Sequence, residues 1–268
     1  MRTFRWLTSL TVVAVAFLGC SSTAATPTAT PHAATSATPA PNTLTVAYED
    51  NCQVELIAPS GQRVLIDVYD ETLLTSPAKA SDILLTTHLH SDHYKQSFAD
   101  SFPGTKITNE TTEKTIGDVK IKSIAASHTD EPIDTAAPTN HIFVIEFDGF
   151  KIVHGGSTGQ MTLTPEQVAA IGGDVDIAAL VLTSVGGLDP NGDKAIQIAK
   201  QVNPKILLPT HSSLPYVQAG GKIWKATWSS NVSVKIPRSE LPTQTTMLFM
   251  GQLATSYGAI LSAPETKW

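Results

Sequence analysis

Residues 83–93, Ile-Leu-Leu-Thr-Thr-His-Leu-His-Ser-Asp-His, join two unlike signals: a short apolar run and a knot of metal-ligand side chains. Ile83-Leu84-Leu85 has the composition of a buried strand running up to a site. While the backbone stays extended beyond it, His88, His90 and Asp92, two apart, project from one face. A turn at His93 swings its imidazole toward the same point. Three imidazoles and a carboxylate so close together repel when the histidines are protonated, and they are costly to bury unpaired. A divalent cation removes both difficulties, because neutral imidazole and carboxylate are ligands for zinc and similar transition metals. The chain holds only eight histidines, and three of them fall in this loop.

Working outward, segment 44–68 reads as an antiparallel meander. Leu44–Tyr48 and Cys52–Ile57 alternate, Pro59-Ser60-Gly61 is a turn, and Arg63–Asp67 follows, leaving Asp67 at a strand end. Downstream, 105–109 and 119–125 are further strands, and the second runs into His128. Ile142–Phe147 and Phe150–His154 flank Asp148-Gly149, a strong hairpin signal. Gly155-Gly156-Ser157-Thr158-Gly159 comes next, a stretch whose glycines permit close backbone approach to a bound group. Thr164-Pro165-Glu166-Gln167 carries an N-cap, a first-turn proline and a capping-box glutamine, so a helix starts there. Asp176–Leu182 is a buried strand, Pro190–Val202 has helical spacing, and Ile206–Pro209 is a strand ending at Thr210-His211. Closing strands are expected near 232–236 and 246–250. Tyr216, Trp224 and Trp228 either line a pocket rim or pack in the core.

The pattern His-x-His-x-Asp-His, present as His88, His90, Asp92 and His93, resembles the metal-binding signature of the metallo-β-lactamase-fold hydrolases. The resemblance covers nearly everything after residue 44. It implies an α/β (α+β) fold, a four-layer αββα sandwich with ligands on loops at one sheet edge. It also implies one or two divalent metal ions, zinc first and manganese as the alternative. One ion would be held by His88, His90 and His128, the other by Asp92, His93 and His211. Asp92 would be catalytic as well, and Asp67 would support the metal loop from outside the ligand set. Where the family usually has Gly-Asp-Thr-Gly, with an aspartate bridging the two metals, this chain has Ser157. A neutral hydroxyl is a poor substitute, and one negative charge between two dications is lost. Weak or absent occupancy at one site is therefore expected, with Ser157 a weak ligand at best and Asp130 a candidate substitute carboxylate. His141 and His154, on the hairpin strands beside the site, are expected to pack there, with orientation of the ligands as the alternative.

The implied chemistry is hydrolysis of a lactone, ester or phosphoester by metal-activated water. The nearest likeness is to the small branch typified by L-ascorbate-6-phosphate lactonase, although fold does not fix substrate. Two other readings stand beside it: a degenerate protein that binds metal without turnover, and a lipoprotein domain that mainly engages a partner.

Ahead of the domain (44–268), Arg2 and Arg5 precede an apolar run, Leu7–Leu18, that ends at Gly19-Cys20. This is a signal segment over 1–20, too short for a stable span. It resembles a bacterial lipoprotein signal with Cys20 as the lipidated residue; ordinary secretory cleavage and an uncleaved anchor are the alternatives. Residues 21–43, almost entirely Ser, Thr, Ala and Pro, read as a disordered tether, and His32 within it has no role. The expected location is outside the cytoplasm, as a cell-envelope lipoprotein held to the membrane through Cys20 or as a secreted protein. Loss of residues 1–19 takes Arg2 and Arg5 from 18 basic residues and nothing from the 24 acidic ones, moving the formal charge from −6 to −8. Such a balance gives no support for a nucleic-acid partner; a small-molecule substrate is expected. Of the two cysteines, only Cys52 falls in the domain, so no disulfide staples it if Cys20 is lipidated.

Overall fold

A computed structural model describes residues 42–48, 51–184, 193–251 and 253–268. The signal segment 1–20, the tether up to residue 41 and the expected helix start at Pro190 lie outside the described residues. In chain order the strands are β1 (Thr43–Tyr48), β2 (Val54–Ile57), β3 (Arg63–Ile66), β4 (Ile83–Thr86), β5 (Thr105–Thr108), β6 (Thr112–Ile116) and β7 (Val119–Ala126). They continue as β8 (Asn140–Phe147), β9 (Phe150–His154), β10 (Ile177–Val181), β11 (Ile206–Thr210), β12 (Lys225–Ser229), β13 (Ser233–Pro237) and β14 (Thr246–Met250). The helices are α1 (Gln96–Ser101), α2 (Pro165–Ile171), α3 (Lys194–Val202), α4 (Leu214–Gly221) and α5 (Ala254–Leu261).

Two sheets form, ordered β13-β1-β2-β3-β4-β5 and β12-β14-β11-β10-β9-β8-β7-β6. Alternation along each strand decides what fills the space between them. Val64, Ile66, Ile83 and Leu85 of the first sheet join Phe143, Ile145, Ile152, Ile177, Ile206 and Leu248 of the second in one buried cluster. The intervening residues point outward. Leu65 and Leu84 meet Ala99 and Phe102 beside α1, while Ala178, Leu180, Leu207 and Met247 pack with residues of α2, α3, α4 and α5. Two sheets face to face with helices on both outer faces make the expected αββα sandwich.

The expected hairpin is β8–β9, with Asp148 and Gly149 both at positive φ (50° and 78°), as a type I′ turn requires. The capping box at Thr164 and Gln167 also forms. Tyr216, Trp224 and Trp228 belong to the outer cluster beneath α4 and α5, which settles them as packing residues. Elements that the sequence did not announce are β6, β12, α1, α4 and α5. β6 (TEKTI) is a polar edge strand without apolar alternation, and charged edges of this kind resist pairing with another chain.

The topology brings several strand ends to one edge. β3 and β4 run parallel and deliver Asp67 and His88; β9, β10 and β11 run parallel and deliver Gly155 and His211. β7 ends just before His128. β2 runs antiparallel to β3 with Val54 opposite Ile66, so the residues preceding β2 lie at this same edge.

Candidate metal centre

Strand β4 stops at Thr86, and a turn closed by His93 N–H donating to the His90 carbonyl (2.9 Å) doubles the loop back. The extended run assumed from the spacing therefore ends before Asp92, and the motif splits between two clusters. His88 and His90 turn one way and meet His128. Their ring centroids stand 4.5 Å (His88–His90), 4.6 Å (His90–His128) and 5.1 Å (His88–His128) apart. One ligand atom from each lies within 4.8 Å of the others. His93, its ring centroid 4.0 Å from that of His88, reaches on toward His211, their Nε2 atoms 3.1 Å apart. Asp92 Oδ2 stands 3.8 Å from His93 Nε2 and 3.6 Å from His211 Nε2. His88, His90, Asp92, His93, His128 and His211 thus lie at the same edge, the last two brought there from distant parts of the chain.

Two departures stand out. Cys52 joins His93 and His211 in a second three-ligand cluster, its Sγ and their ring nitrogens all within 4.8 Å. In the sequence Cys52 reads as the start of an alternating strand and as a cysteine without a disulfide partner, not as a ligand. Asp130, the candidate substitute carboxylate, is instead salt-bridged to the buried Lys194 at 2.6 Å. Ser157 is buried, and its hydroxyl lies 2.9 Å from His93 Nε2.

Hydrogen bonds from Asp67 decide which nitrogen each key ring presents. Asp67 is fully buried and accepts from Thr87 N–H (2.8 Å), Thr87 Oγ1 (2.7 Å) and His93 Nδ1 (2.8 Å). Because His93 donates through Nδ1, its neutral form leaves Nε2 a bare lone pair toward His211 and Asp92. Thr87 has spent its only hydroxyl proton on Asp67, so at the 3.0 Å contact with His88 Nδ1 the ring must be the donor. His88 Nε2 is then also a bare lone pair, buried and without a hydrogen-bond partner. An orphaned acceptor of that kind needs explaining, and a cation shared with His90 and His128 supplies the explanation. One aspartate therefore orients a ring in each candidate cluster, the kind of support that metal-bound imidazoles commonly receive.

Local backbone geometry serves the same end. Asp67 (φ 52°) and His211 (φ 42°) occupy the left-handed region, which side-chain-bearing residues adopt at a cost on the order of 1 kcal/mol. Gly159 is needed because any Cβ there would overlap the His128 carbonyl. His154 does more than pack: its Nε2 donates to the Cys52 carbonyl (2.9 Å), and its Nδ1 accepts from Gly156 N–H (3.2 Å). It ties the Cys52 segment to the glycine loop. His141 Nδ1 lies 3.0 Å from the Thr87 carbonyl and fixes the ligand loop from the opposite strand.

The electrostatics divide along the same line. Burial and the neighbouring His93 push His88 down to about 3, and burial with His90 and His93 lowers His128, so both rings favour the neutral form that can ligate. For His93, burial opposes the charged form, but the Asp67 carboxylate and Cys52 outweigh it and push the group up to about 11. At His211 burial again opposes and Cys52 prevails, raising it; Cys52, which burial alone would raise, is held low by His211 and His93. The second cluster thus sits in a field that favours positive charge.

The family profile for the beta-lactamase superfamily domain matches residues 48–211, more than half of the chain and inclusive of every residue in both clusters. Among solved structures, the chain is similar to a candidate Zn-dependent hydrolase of the metallo-β-lactamase superfamily from Thermotoga maritima. That likeness has 21% identity and a TM-score of 0.57, over 78% of this chain and 100% of the other. Igni18, a metallo hydrolase from Ignicoccus hospitalis, is 16% identical over 65% of this chain and 85% of its own, with a TM-score of 0.47. At 21% identity the likeness to the Thermotoga maritima protein speaks to fold alone. No curated protein matches the chain.

Proposed function

Since the chain belongs to the beta-lactamase superfamily, we propose that it is a metal-dependent hydrolase of a small lactone, ester or phosphoester. The observation that carries the reading is the buried, unpartnered Nε2 of His88 beside His90 and His128. Zinc is the ion we assign, with manganese as the alternative. Bound there, a divalent cation lowers the pKa of water toward neutrality and polarises a carbonyl or phosphoryl oxygen.

The chain's own residues supply the rest. His88, His90 and His128 would hold one cation, and Asp92, His93 and His211 a second. Asp67 keeps the His93 proton on Nδ1 and, through Thr87, the His88 proton on Nδ1. His90 is exposed and the Asp92 side chain is 48% exposed, so substrate reaches the site from that side. Asp92 is the carboxylate placed to take a proton at that mouth. The floor, made by His88, His93 and Ser157, is closed to solvent.

Location is part of the proposal. The Arg2/Arg5 segment ending at Gly19-Cys20 favours export and lipid attachment at Cys20, which labelling with a fatty-acid analogue and loss of label in Cys20→Ser would test. The activity test is hydrolysis of generic ester and phosphodiester substrates. Turnover that vanishes with chelation, returns with metal and is absent in His88→Ala supports the reading; turnover that survives chelation sinks it. A second reading, cation binding without turnover, is favoured by Ser157 in place of the bridging carboxylate. High-affinity uptake with no hydrolysis of any substrate would select it.

A further inference from the structure

We propose that Cys52 is a thiolate ligand to the second cation, supplying the negative charge that position 157 lacks, and that this site selects a thiophilic ion such as zinc. The proposal rests on the reading of this edge as a cation centre.

Four observations converge on it. Cys52 Sγ and the ring nitrogens of His93 and His211 lie within 4.8 Å of one another, and Asp92 Oδ2 stands 3.6 Å from His211 Nε2. For tetrahedral zinc with bonds of about 2.0–2.3 Å, ligand atoms are separated by roughly 3.3–3.6 Å. The 3.1 Å His93–His211 spacing and the 3.6 and 3.8 Å Asp92 spacings are close to those edges. Sulfur and two imidazole nitrogens make a three-atom set, and the Asp92 carboxylate stands beside the two imidazoles.

Burial points the same way. A structural cysteine behaves as a small hydrophobe. Cys52 is fully buried, yet it falls in none of the three apolar clusters. Its Sγ faces polar groups instead, including the Gly156 carbonyl at 3.9 Å.

The segment is also held in place. Its carbonyl accepts from His154, and the preceding Asn51, at φ 50°, accepts from the His211 N–H at 3.2 Å. The cysteine is therefore tied to the loop of one prospective partner and, through His154, to the loop carrying Ser157. Register explains its arrival: β2 lies antiparallel to β3, which puts the residues before Val54 beside those after Ile66.

Charge completes the argument. With serine at 157, Asp92 alone would offset a dication among neutral imidazoles. A thiolate at Cys52, beside His93 and His211, restores the second negative charge. Thiolate favours zinc over manganese or magnesium, whereas the three-imidazole site imposes no such preference for sulfur-seeking ions. The two sites should differ in metal selectivity.

The test uses the full chain carrying Cys20→Ser, so that Cys52 is the only thiol. Cobalt(II) titration should give a near-ultraviolet sulfur-to-cobalt charge-transfer band that grows with one of two equivalents. X-ray absorption of the zinc form should report sulfur at about 2.3 Å. Adding Cys52→Ser should remove both sulfur signals and weaken one equivalent by about tenfold or more, while the other keeps its affinity. Manganese should fill only one site. Two ions bound without any sulfur signal would overturn the Cys52 assignment and leave the hydrolase reading standing; no bound ion would overturn both. Should Cys52→Ser fail to fold, X-ray absorption of the Cys20→Ser chain decides alone.

Discussion

Replacing Asp67 with asparagine is the substitution on which the two clusters depend together. Asp67 accepts three hydrogen bonds, and two of them, from Thr87 Oγ1 and His93 Nδ1, converge on Oδ2. Asparagine offers one acceptor oxygen. With its amide nitrogen at the Oδ2 position, donors would face donors at both contacts. Relief comes only if His93 carries its proton on Nε2 and the Thr87 hydroxyl turns to His88, shifting that ring's proton to Nε2 as well. Both nitrogens that face the centre are then capped. Losing an orienting partner of this kind weakens metal binding by about 10–100-fold, or about 1.4–2.7 kcal/mol per ion. The flipped amide instead turns a donor toward the buried Thr87 N–H, which costs about 1–3 kcal/mol of folding stability. Chelator competition for each ion, together with melting of the metal-free chain, reads both branches. Asp67→Asn with ion affinities and melting indistinguishable from the parent would refute the argument.

Other consequences separate the two clusters. Thr87→Val removes the hydroxyl between Asp67 and His88 but leaves the Asp67–His93 bond, so affinity at the His88 cluster should fall about tenfold while the His93 cluster is unchanged in the same competition assay. Proton release should differ too. His88, held near 3, is already neutral at pH 7, whereas His93, raised to about 11, must surrender a proton to bind a cation. Filling the His93 cluster should expel about one proton or more and weaken about tenfold per unit fall in pH; calorimetry in buffers of different ionisation enthalpy should find fewer protons released at the His88 cluster, where His88 is already neutral. For the metal-free fold, the stabilising His93–Asp67 pair is at full strength below about pH 6.5 and fades as pH rises toward about 11. Gly159→Ala sets a methyl against the His128 carbonyl, and thermal or denaturant melting should record a loss of about 2–4 kcal/mol.

Much of this was legible because the chemistry is concentrated in sequence. His88, His90, Asp92 and His93 sit in one short loop, and His128 and His211 each follow an apolar strand that ends at the site edge. The short apolar runs of β3, β4, β10 and β11, buried on both faces, wrote the sandwich core directly into the chain. Cys52 escaped because a single cysteine carries little signal on its own. The available clue was the meander itself: pairing β2 with β3 puts residue 52 at the same edge as Asp67. The Thr87 relay could not be read at all, since the direction of its hydroxyl follows from which groups surround it in three dimensions. α4 and α5 were missed because their sequences, LPYVQAGG and ATSYGAIL, carry glycines and no clean apolar stripe; packing on the second sheet holds them.

The most direct measurement is anomalous scattering at the zinc edge from crystals of the zinc-loaded protein. Expected are two peaks, one among His88, His90 and His128 and one among Cys52, Asp92, His93 and His211. A map with no anomalous density at this edge would contradict the assignment of the histidine loop to metal chemistry.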